Sequence, residues 1–286
     1  MAISPAPLGI LAKTIQLALS VRASNPSIIL IFGPFDPSGS SSLPADAVTC
    51  AALGAHALCA VTSIHVQDTA TIEDIQPVAP ELIDDQARCV LEDMSVQAIK
   101  VGPLYTSESV SVLAQIAADY SHVPLVLHLG PLPGESVLDD SDTEEALSAI
   151  FELLLPQTNI VLADHNLIAQ WQTHGLLSSA NSITAAQALL QYGAQWVLTS
   201  AAPMRPGHPT YVLQGQENQT FNWPWQTPAA RLSNADGPLA CAITIELAKG
   251  RAAPEAVEAA IRLAAPLTTD SFQPGMGHRL INRSAP

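Results

Sequence analysis

The chain alternates between short apolar runs, which predict buried strands, and segments in which apolar residues recur at helical spacing. The first run, residues 28–32, is unbroken and rich in β-branched residues, as expected of a strand buried on both faces. A loop of Gly, Pro, Asp and Ser follows it, and a helical pattern begins at Asp46. A strand, a small-residue loop and a helix in this order place a ligand site at the carboxyl end of a sheet. We therefore expect substrate to bind near this first loop.

The same alternation continues to the end of the chain. Alternating strands and helices imply right-handed crossovers and a mostly parallel sheet covered on both faces. We predict a single α/β domain over residues 28–286, and an N-terminal extension, residues 1–27, whose apolar spacing predicts a helix. Further strands are predicted at residues 57–64, 98–102, 125–129, 159–163 and 196–199, with strand-like pieces near 211–213 and 221. Helices are predicted at residues 80–94, 106–117, 143–155, 183–192, 238–249 and 254–265.

Composition narrows the possible partners. A formal net charge of −15 and a pI near 4.7 argue against nucleic acid and anionic membranes, since both need a basic patch. The four cysteines form no C-x-x-C pair and lie in apolar surroundings, which is typical of core residues in a reducing compartment. No segment approaches the roughly 20 apolar residues that a membrane span needs. We expect a cytoplasmic protein.

Few residues stand out as candidates for chemistry. The chain has no phosphate-binding G-x-x-x-x-G-K-[ST], no dinucleotide G-x-G-x-x-G, no G-x-S-x-G and no H-E-x-x-H, and we predict no metal site. Asp36, Asp46 and Gln67 all follow predicted strands, and a carboxylate with an amide could bind a ring bearing amino and nitrogen groups. Turn and helix-capping roles explain the two aspartates equally well. His128 and His165 also follow strands, but a lone loop histidine is more often structural.

Several sequence blocks in a fixed order carry a resemblance to a known family. The blocks are Gly33-x-x-Asp36-Pro37-Ser38-Gly39, Pro44-Ala45-Asp46, Val61-Thr62-Ser63-Ile64-His65-Val66-Gln67-Asp68-Thr69, Ala98-Ile99-Lys100-Val101-Gly102, Leu247-Ala248-Lys249-Gly250 and Pro274-Gly275-Met276-Gly277-His278. Together they resemble the hydroxymethylpyrimidine/phosphomethylpyrimidine kinases of thiamine biosynthesis, which are ribokinase-like proteins. The resemblance is strongest over residues 28–104 and extends to the C-terminus.

The resemblance implies a three-layer α/β/α sandwich that transfers phosphate from ATP with Mg²⁺ to a pyrimidine hydroxymethyl group, and then to its monophosphate. Gly33, Asp46 and Gln67 match the family's pyrimidine-binding positions, and Asp36 joins them as a substrate-binding candidate. Thr199 and Ser200 are the candidates for nucleotide binding, at the end of the strand near 196–199. Family members commonly pair through their sheet edges, which implies a homodimer.

The nucleotide and catalytic motifs depart from the family pattern. The anion-hole motif H-G-T-G-C-T becomes residues 233–238, which places Gly237 at the catalytic thiol position. Pro238 removes one backbone N–H, and glycines are needed there so that successive N–H groups can close on phosphoryl charge. Asp236 is the candidate base, although capping of the following helix is the alternative role. Four further motifs are altered: Ser38-Gly39-Ser40-Ser41-Ser42, His128-Leu129-Gly130, Asp164-His165-Asn166-Leu167 and Ser200-Ala201-Ala202.

Two functional hypotheses follow. The first is a divergent pyrimidine kinase with weakened catalysis, and the second is a non-catalytic relative that binds pyrimidine or regulates a partner. Phosphorylation of another small alcohol, such as a pyridoxine-like ring, has no dedicated residue. The loop 233–238 discriminates between the first two, because side chains of Asn234 and Asp236 that fill its pocket would exclude catalysis.

Overall fold

The computed structural model describes residues 25–134, 137–138, 140–177, 183–205, 208–225 and 232–284. The helix predicted within residues 1–27 falls almost wholly on residues 1–24, which lie outside this part of the chain. Within these ranges, nine strands form the main sheet: β1 (Ser27–Phe35), β2 (Ala55–Gln67), β3 (Ile72–Pro77), β4 (Ala98–Val101), β5 (Leu125–Leu129), β6 (Ile160–Asp164), β7 (Trp196–Arg205), β8 (His208–Gly215) and β9 (Thr220–Pro224). A small antiparallel pair, β10 (Ser271–Phe272) and β11 (Leu280–Ile281), lies near the C-terminus.

Helices cover both faces of the sheet. They are α1 (Ser42–Ala52), α2 (Pro80–Asp93), α3 (Ser107–Asp119), α4 (Asp140–Ala149), α5 (His165–Thr173), α6 (Ala185–Gln191), α7 (Gly237–Ala248) and α8 (Ala253–Ala264). One core cluster joins the sheet to α2–α6, and two clusters on the opposite face join it to α1, α7 and α8. The three-layer α/β/α sandwich is therefore confirmed.

The sheet is mostly parallel and has the order β3-β2-β1-β4-β5-β6-β7-β8-β9. Strands β2, β1, β4, β5, β6 and β7 are parallel neighbours, while β3, β8 and β9 add antiparallel edges. The apolar run of β1 is explained by burial on both faces, since Leu30 and Phe32 pack in one core and Ile29 and Ile31 in the other. Because the parallel strands share one direction, their carboxyl ends meet at one edge of the sheet, where a site can form.

Local sequence signals set several helix boundaries. Pro80 occupies the first turn of α2, where its missing N–H has no intrahelical acceptor. The Thr106 side chain accepts a hydrogen bond from the Ser109 backbone N–H and caps α3. The helix predicted at 143–155 begins at Asp140, and from Ile150 it continues as a π-helical turn and then a short 3₁₀ turn.

The short pair β10 and β11 was not predicted, and neither were two larger elements, β3 and α5. β3 carries three polar residues among six, and its pairing with β2 rather than its own pattern makes it a strand. α5 starts directly after β6, because the Asp164 carboxylate accepts hydrogen bonds from the Asn166 and Leu167 backbone N–H groups. In the part of the chain that the structure describes, no helix is both long and apolar enough to span a membrane.

Candidate functional site

The loop between β1 and α1 is organised around the carboxylate of Asp36. This fully buried side chain accepts hydrogen bonds from the backbone N–H groups of Ser38 and Ser41, at 2.8 and 2.9 Å. The hydroxyls of Ser38, Ser40 and Ser41 donate to it as well, at 2.6 to 2.9 Å. With five donors around it, the Asp36 carboxylate is satisfied within the loop itself. The structure therefore gives this residue a loop-organising position.

Gly33 lies beneath the site. It is buried near the end of β1, where the register with β2 shifts. A Cβ added at the neighbouring Gly102 would lie 3.5 Å from the Phe32 carbonyl oxygen, which is an ordinary contact distance. Gly33 is not among the residues that line the cavity described next.

A cavity of about 310 Å³ opens at the carboxyl edge of the sheet, between the ends of β2, β4 and β5 and the start of α1. Asp46 of α1 and Gln67 of β2 both line it. The other polar lining side chains that carry the argument are His65, Lys100, Tyr105, His128, Asn234 and His278. We call this space the central cavity.

A buried ion pair forms one wall of the central cavity. The Lys100 ammonium lies 2.6 Å from Asp46 Oδ2, and both side chains are at most 4% exposed. The Cys241 thiol donates to the other oxygen, Oδ1, at 3.3 Å. Burial is the largest single effect and lowers the pKa of Lys100, but the charge and hydrogen bond of Asp46, together with the neighbouring Cys241 and Cys50, outweigh it and leave this pKa raised. The lysine is therefore charged, and it uses only one of its three N–H donors on Asp46.

His65 and Gln67 point to the same side of β2 because they are two residues apart. His65 Nδ1 lies 2.9 Å from the Gln67 side-chain oxygen, and its ring packs 5.5 Å from the Tyr105 ring. Its other nitrogen, Nε2, is buried and has no hydrogen-bond partner among the described residues. Burial lowers the pKa of His65, although the Gln67 hydrogen bond and the Asp36 charge oppose this. The imidazole is therefore neutral at physiological pH.

His128 occupies the end of β5 on another wall of the cavity. Burial, and then the Lys100 charge, lowers the pKa of His128 to about 3. This histidine cannot serve as an acid near neutral pH, because it has already lost its second proton. It presents a neutral imidazole to the cavity.

The start of α7 is crowded by its own preceding loop. A Cβ built on Gly237 would lie 2.3 Å from Asn234 Nδ2, so the Asn234 amide occupies the space directly over this glycine. Pro238, the next residue, has no N–H, and the Gly237 N–H points to the Asn234 carbonyl oxygen at 3.4 Å. Neither of the first two residues of α7, Gly237 and Pro238, therefore offers a free backbone N–H to an anion.

The Asp236 side chain contacts Ser200, one of the two candidate nucleotide-binding residues. Its carboxylate accepts a 2.5 Å hydrogen bond from the Ser200 hydroxyl in the middle of β7. Burial raises the pKa of Asp236 to about 6; the Ser200 hydrogen bond opposes the shift and the nearby Asp164 charge adds to it. Asp236 makes no side-chain capping bond to α7. The Thr199 hydroxyl donates to the Val212 carbonyl oxygen at 3.3 Å, so it is used within the sheet.

A second cavity of about 200 Å³ lies beyond this loop, against α7 and α8. Ala235 and Leu239 line it on one side, and Tyr211, Ile261 and Ala264 line it on the other. Burial and then the Asp236 charge raise the pKa of Tyr211, so its hydroxyl stays protonated. The mostly apolar lining suits a flat ring.

Sequence reasoning did not find Lys100 and His65 as site residues. Lys100 lies in a strand with apolar neighbours, and a charge inside such a run signals a buried partner. Its partner Asp46 is 54 residues away, so that signal could not name it. His65 looked like the start of a polar turn, whereas β2 extends through Gln67 and makes it a buried wall of the cavity.

Comparison with known families gives a match over most of the chain. A family model described as phosphomethylpyrimidine kinase matches residues 36–282. A hydroxymethylpyrimidine/phosphomethylpyrimidine kinase from Mycobacterium bovis is 30% identical over 280 residues, covering 92% of this chain and 95% of the relative. The kinase of the same name from Mycobacterium leprae is 26% identical over 262 residues, covering 89% and 93%.

Solved structures share the fold at lower identity. A Staphylococcus aureus pyridoxal kinase in complex with pyridoxal superposes with a TM-score of 0.76 at 21% identity, covering 92% of this chain and 95% of that one. A Clostridium difficile phosphomethylpyrimidine kinase gives a TM-score of 0.67 at 21% identity, covering 84% and 98%. At these identities the structures support the architecture alone.

Proposed function

Because the chain belongs to the phosphomethylpyrimidine kinase family, we propose that it binds a hydroxymethylpyrimidine in the central cavity and phosphorylates it, or its monophosphate, slowly. The observation that carries this proposal is the polar set that the fold brings together there: Asp46, Gln67 and the buried charge of Lys100. An aromatic wall of His65 and Tyr105 faces the same space and suits a flat ring.

Lys100 fits both substrates of such an enzyme. Its ammonium lines the cavity and retains two N–H donors after binding Asp46. These donors can hold a hydroxymethyl oxygen, and the same positive charge attracts the phosphate of the monophosphate. Asp46 would then position the lysine, while Gln67 contacts the ring.

The structure offers a pocket for the base of a nucleotide, whereas the place for its phosphates is obstructed. The second cavity, with Tyr211, Leu239 and Ile261, would hold a base. Among the described residues no group of three or more His, Cys, Asp or Glu side chains could hold a metal ion, so Mg²⁺ would arrive bound to the nucleotide, with the Asp236 carboxylate as a candidate oxygen ligand. ATP with Mg²⁺ would supply the transferred phosphoryl group. The phosphate end is obstructed, because Asn234 covers Gly237 and Pro238 lacks its N–H. We therefore expect transfer to be slow, since loss of one oxyanion donor typically costs about 10²–10³ in rate.

Asp236 is the candidate base in this proposal. With a pKa of about 6 it is mostly ionised at neutral pH and can accept a proton. In the structure its carboxylate holds the Ser200 hydroxyl, so this hydrogen bond must be exchanged before Asp236 reaches a substrate hydroxyl.

The crowding of α7 supports a second candidate function, a pyrimidine-binding protein without phosphoryl transfer. In that case the Asn234 amide over Gly237 is a permanent feature of the site, and the central cavity alone is used.

Phosphoryl transfer distinguishes the two functions. The purified chain is incubated with hydroxymethylpyrimidine, Mg²⁺ and γ-labelled ATP, and labelled product is separated over hours. Slow product formation that Asp236→Ala lowers at least tenfold supports the kinase. Pyrimidine binding with no product above the Asp236→Ala background supports the binding protein, and absence of both activities contradicts each function.

A further inference from the structure

The serine-rich loop of residues 38–42 departs from the family pattern, and the proposed function gives its last residue no role. The other three serines of this loop donate to the Asp36 carboxylate, whereas the Ser42 hydroxyl has no hydrogen-bond partner among the described residues. Ser42 is only 8% exposed, and it lines the central cavity. Its oxygen is not among the described unpartnered atoms that are fully shielded, so it is accessible from the cavity. A polar group placed in this way is available to a ligand.

The backbone of Ser42 is as unusual as its side chain. Its φ of 54° lies in the left-handed region, which glycine adopts readily and other residues adopt at a cost. Ser42 is also the first residue of α1, where an N–H group has no intrahelical acceptor, and no bond from this N–H to another described residue is found. The residue therefore carries two donors, a hydroxyl and an N–H, at the positive end of a helix.

The charges around Ser42 are compatible with an anion. Asp46 lies one turn further along α1, and the Lys100 ammonium, 2.6 Å from its carboxylate, compensates its charge. Arg283 adds a positive charge, since its guanidinium donates to a carbonyl oxygen of the serine-rich loop at 3.5 Å. Asp68, another carboxylate in the cavity lining, is exposed to solvent and accepts hydrogen bonds from the backbone of its own turn.

We propose that Ser42 binds the phosphate of a phosphorylated pyrimidine through its hydroxyl and backbone N–H, while Lys100 supplies the positive charge. Ser42 would then be the residue by which the central cavity selects the monophosphate over the alcohol. The inference rests on the proposed function and deepens it, because Lys100 alone can bind either substrate. The start of α7 is the other place for this phosphate, and there Asn234 covers Gly237.

The test compares hydroxymethylpyrimidine with its monophosphate by calorimetric titration of the full chain. We expect the wild-type chain to bind the monophosphate at least about tenfold more tightly than the alcohol. Ser42→Ala should weaken binding of the monophosphate about tenfold, the value of one hydrogen bond to a charged group, and change the affinity for the alcohol less than about twofold.

A second variant separates the hydroxyl from the backbone conformation. Ser42→Gly also removes the hydroxyl but suits a φ of 54°, so it should lose the same affinity for the monophosphate without losing stability. The matched control is Asn218→Ala. Asn218 has a φ of 60° and does not line the central cavity, so this variant should keep the wild-type preference.

Amide ¹H–¹⁵N spectra of the wild-type chain give a readout that does not depend on the folding of any variant. The Ser42 resonance should shift more with the monophosphate than with the alcohol. The Gly237 resonance, at the start of α7, should shift less than that of Ser42.

The outcomes separate this inference from the proposed function. Equal affinity for the alcohol and the monophosphate, or a preference unchanged in Ser42→Ala, overturns the role of Ser42 while pyrimidine binding stands. Equal weakening of both ligands in Ser42→Ala also overturns it. A monophosphate response at Gly237 instead of Ser42, or a Ser42 response to ATP with Mg²⁺ instead of the monophosphate, does the same. Failure of the wild-type chain to bind either pyrimidine overturns both.

Discussion

At the scale of single residues, the buried Lys100–Asp46 pair is the feature on which the site most depends. Replacing Lys100 with Met would leave the Asp46 carboxylate buried beside a thiol and without its cation. Breaking such a pair typically costs about 3–5 kcal/mol, because the remaining charge is uncompensated. We expect Lys100→Met to lower the free energy of unfolding by that amount in urea titrations.

Arg88→Met is the matched control, since Arg88 pairs with Asp84 and Asp119 at the surface. Exposed pairs contribute at most about 1 kcal/mol. The double change Lys100→Met with Asp46→Asn should recover part of the lost stability, because no charge then remains buried. Equal losses in Lys100→Met and Arg88→Met would show that the buried pair carries no special weight.

Asp236 makes a prediction about pH. Its pKa is raised in the folded protein from an ordinary value near 3.8 to about 6, so between these values the folded chain binds more protons than the unfolded chain. Stability from this group is therefore present at pH 4 and is lost as the pH rises through 6. Asp236→Asn cannot ionise, so it should gain stability relative to wild type on going from pH 4 to pH 7.

We expect this relative gain to be on the order of 1–2 kcal/mol, after allowing for the partial exposure of the side chain. Urea titrations of both proteins at the two pH values measure it. Parallel stability profiles for wild type and Asp236→Asn would mean that Asp236 titrates normally.

Only some of the site residues could be identified from the sequence. Asp46 and Gln67 follow predicted elements and match a family pattern, and the structure places both in the central cavity. The partners that define their chemistry, Lys100 and His65, come from strands whose pattern only indicated burial. A pattern shows that a side chain is buried, but the identity of its long-range partner depends on sheet register, which a single sequence does not specify.

At the scale of elements, the amino end of α7 decides between catalysis and binding. Asn234→Gly removes the amide that covers Gly237 and opens the helix terminus to an anion. If slow transfer is caused by this obstruction, the variant should form product at least about tenfold faster than wild type in the labelled-ATP assay.

Asn218→Gly is the control for this experiment. Asn218 has φ of 60° in the turn between β8 and β9, a conformation that glycine adopts readily, so its replacement should change neither stability nor transfer. An unchanged rate in Asn234→Gly would show that obstruction of α7 does not limit transfer.

Elements were predictable where their own pattern was strong. The parallel strands β1, β2, β4, β5 and β6 and the helices with capping or proline signals match the sequence expectation within a few residues, whereas β7 continues beyond its predicted end at residue 199 to Arg205. β3 and α5 were missed, because β3 is defined by its pairing with β2 and α5 begins without an intervening loop. The π-helical turn at Ile150–Leu154 had no signal in the apolar spacing either.

At the scale of the whole molecule, the C-terminal segment ties distant parts of the site together. The His278 backbone N–H donates to the Thr69 carbonyl oxygen at 2.7 Å, and Gly277 donates to the Thr69 hydroxyl at 3.1 Å. Arg283 donates to the Thr49 hydroxyl of α1 at 3.1 Å. His278 also lines the central cavity, so this segment forms part of its rim.

We expect Gly277→Ala to separate the C-terminal segment from the turn after β2. An added Cβ would lie 2.0 Å from the Thr69 carbonyl oxygen, which cannot move without disturbing the turn after β2. We expect a loss of about 1–3 kcal/mol in the free energy of unfolding and faster proteolysis near the C-terminus. Gly130→Ala, where the Cβ would make an ordinary 3.6 Å contact with Pro103, is the control. Wild-type stability and protease resistance in Gly277→Ala would contradict this role.

The most direct measurement is calorimetric titration of the purified wild-type chain with hydroxymethylpyrimidine and, separately, with ATP and Mg²⁺. The central cavity predicts one pyrimidine site per chain, and the crowded start of α7 predicts weaker binding of the nucleotide than of the pyrimidine. Absence of pyrimidine binding, with or without nucleotide binding, would contradict the assignment of the central cavity as the substrate site.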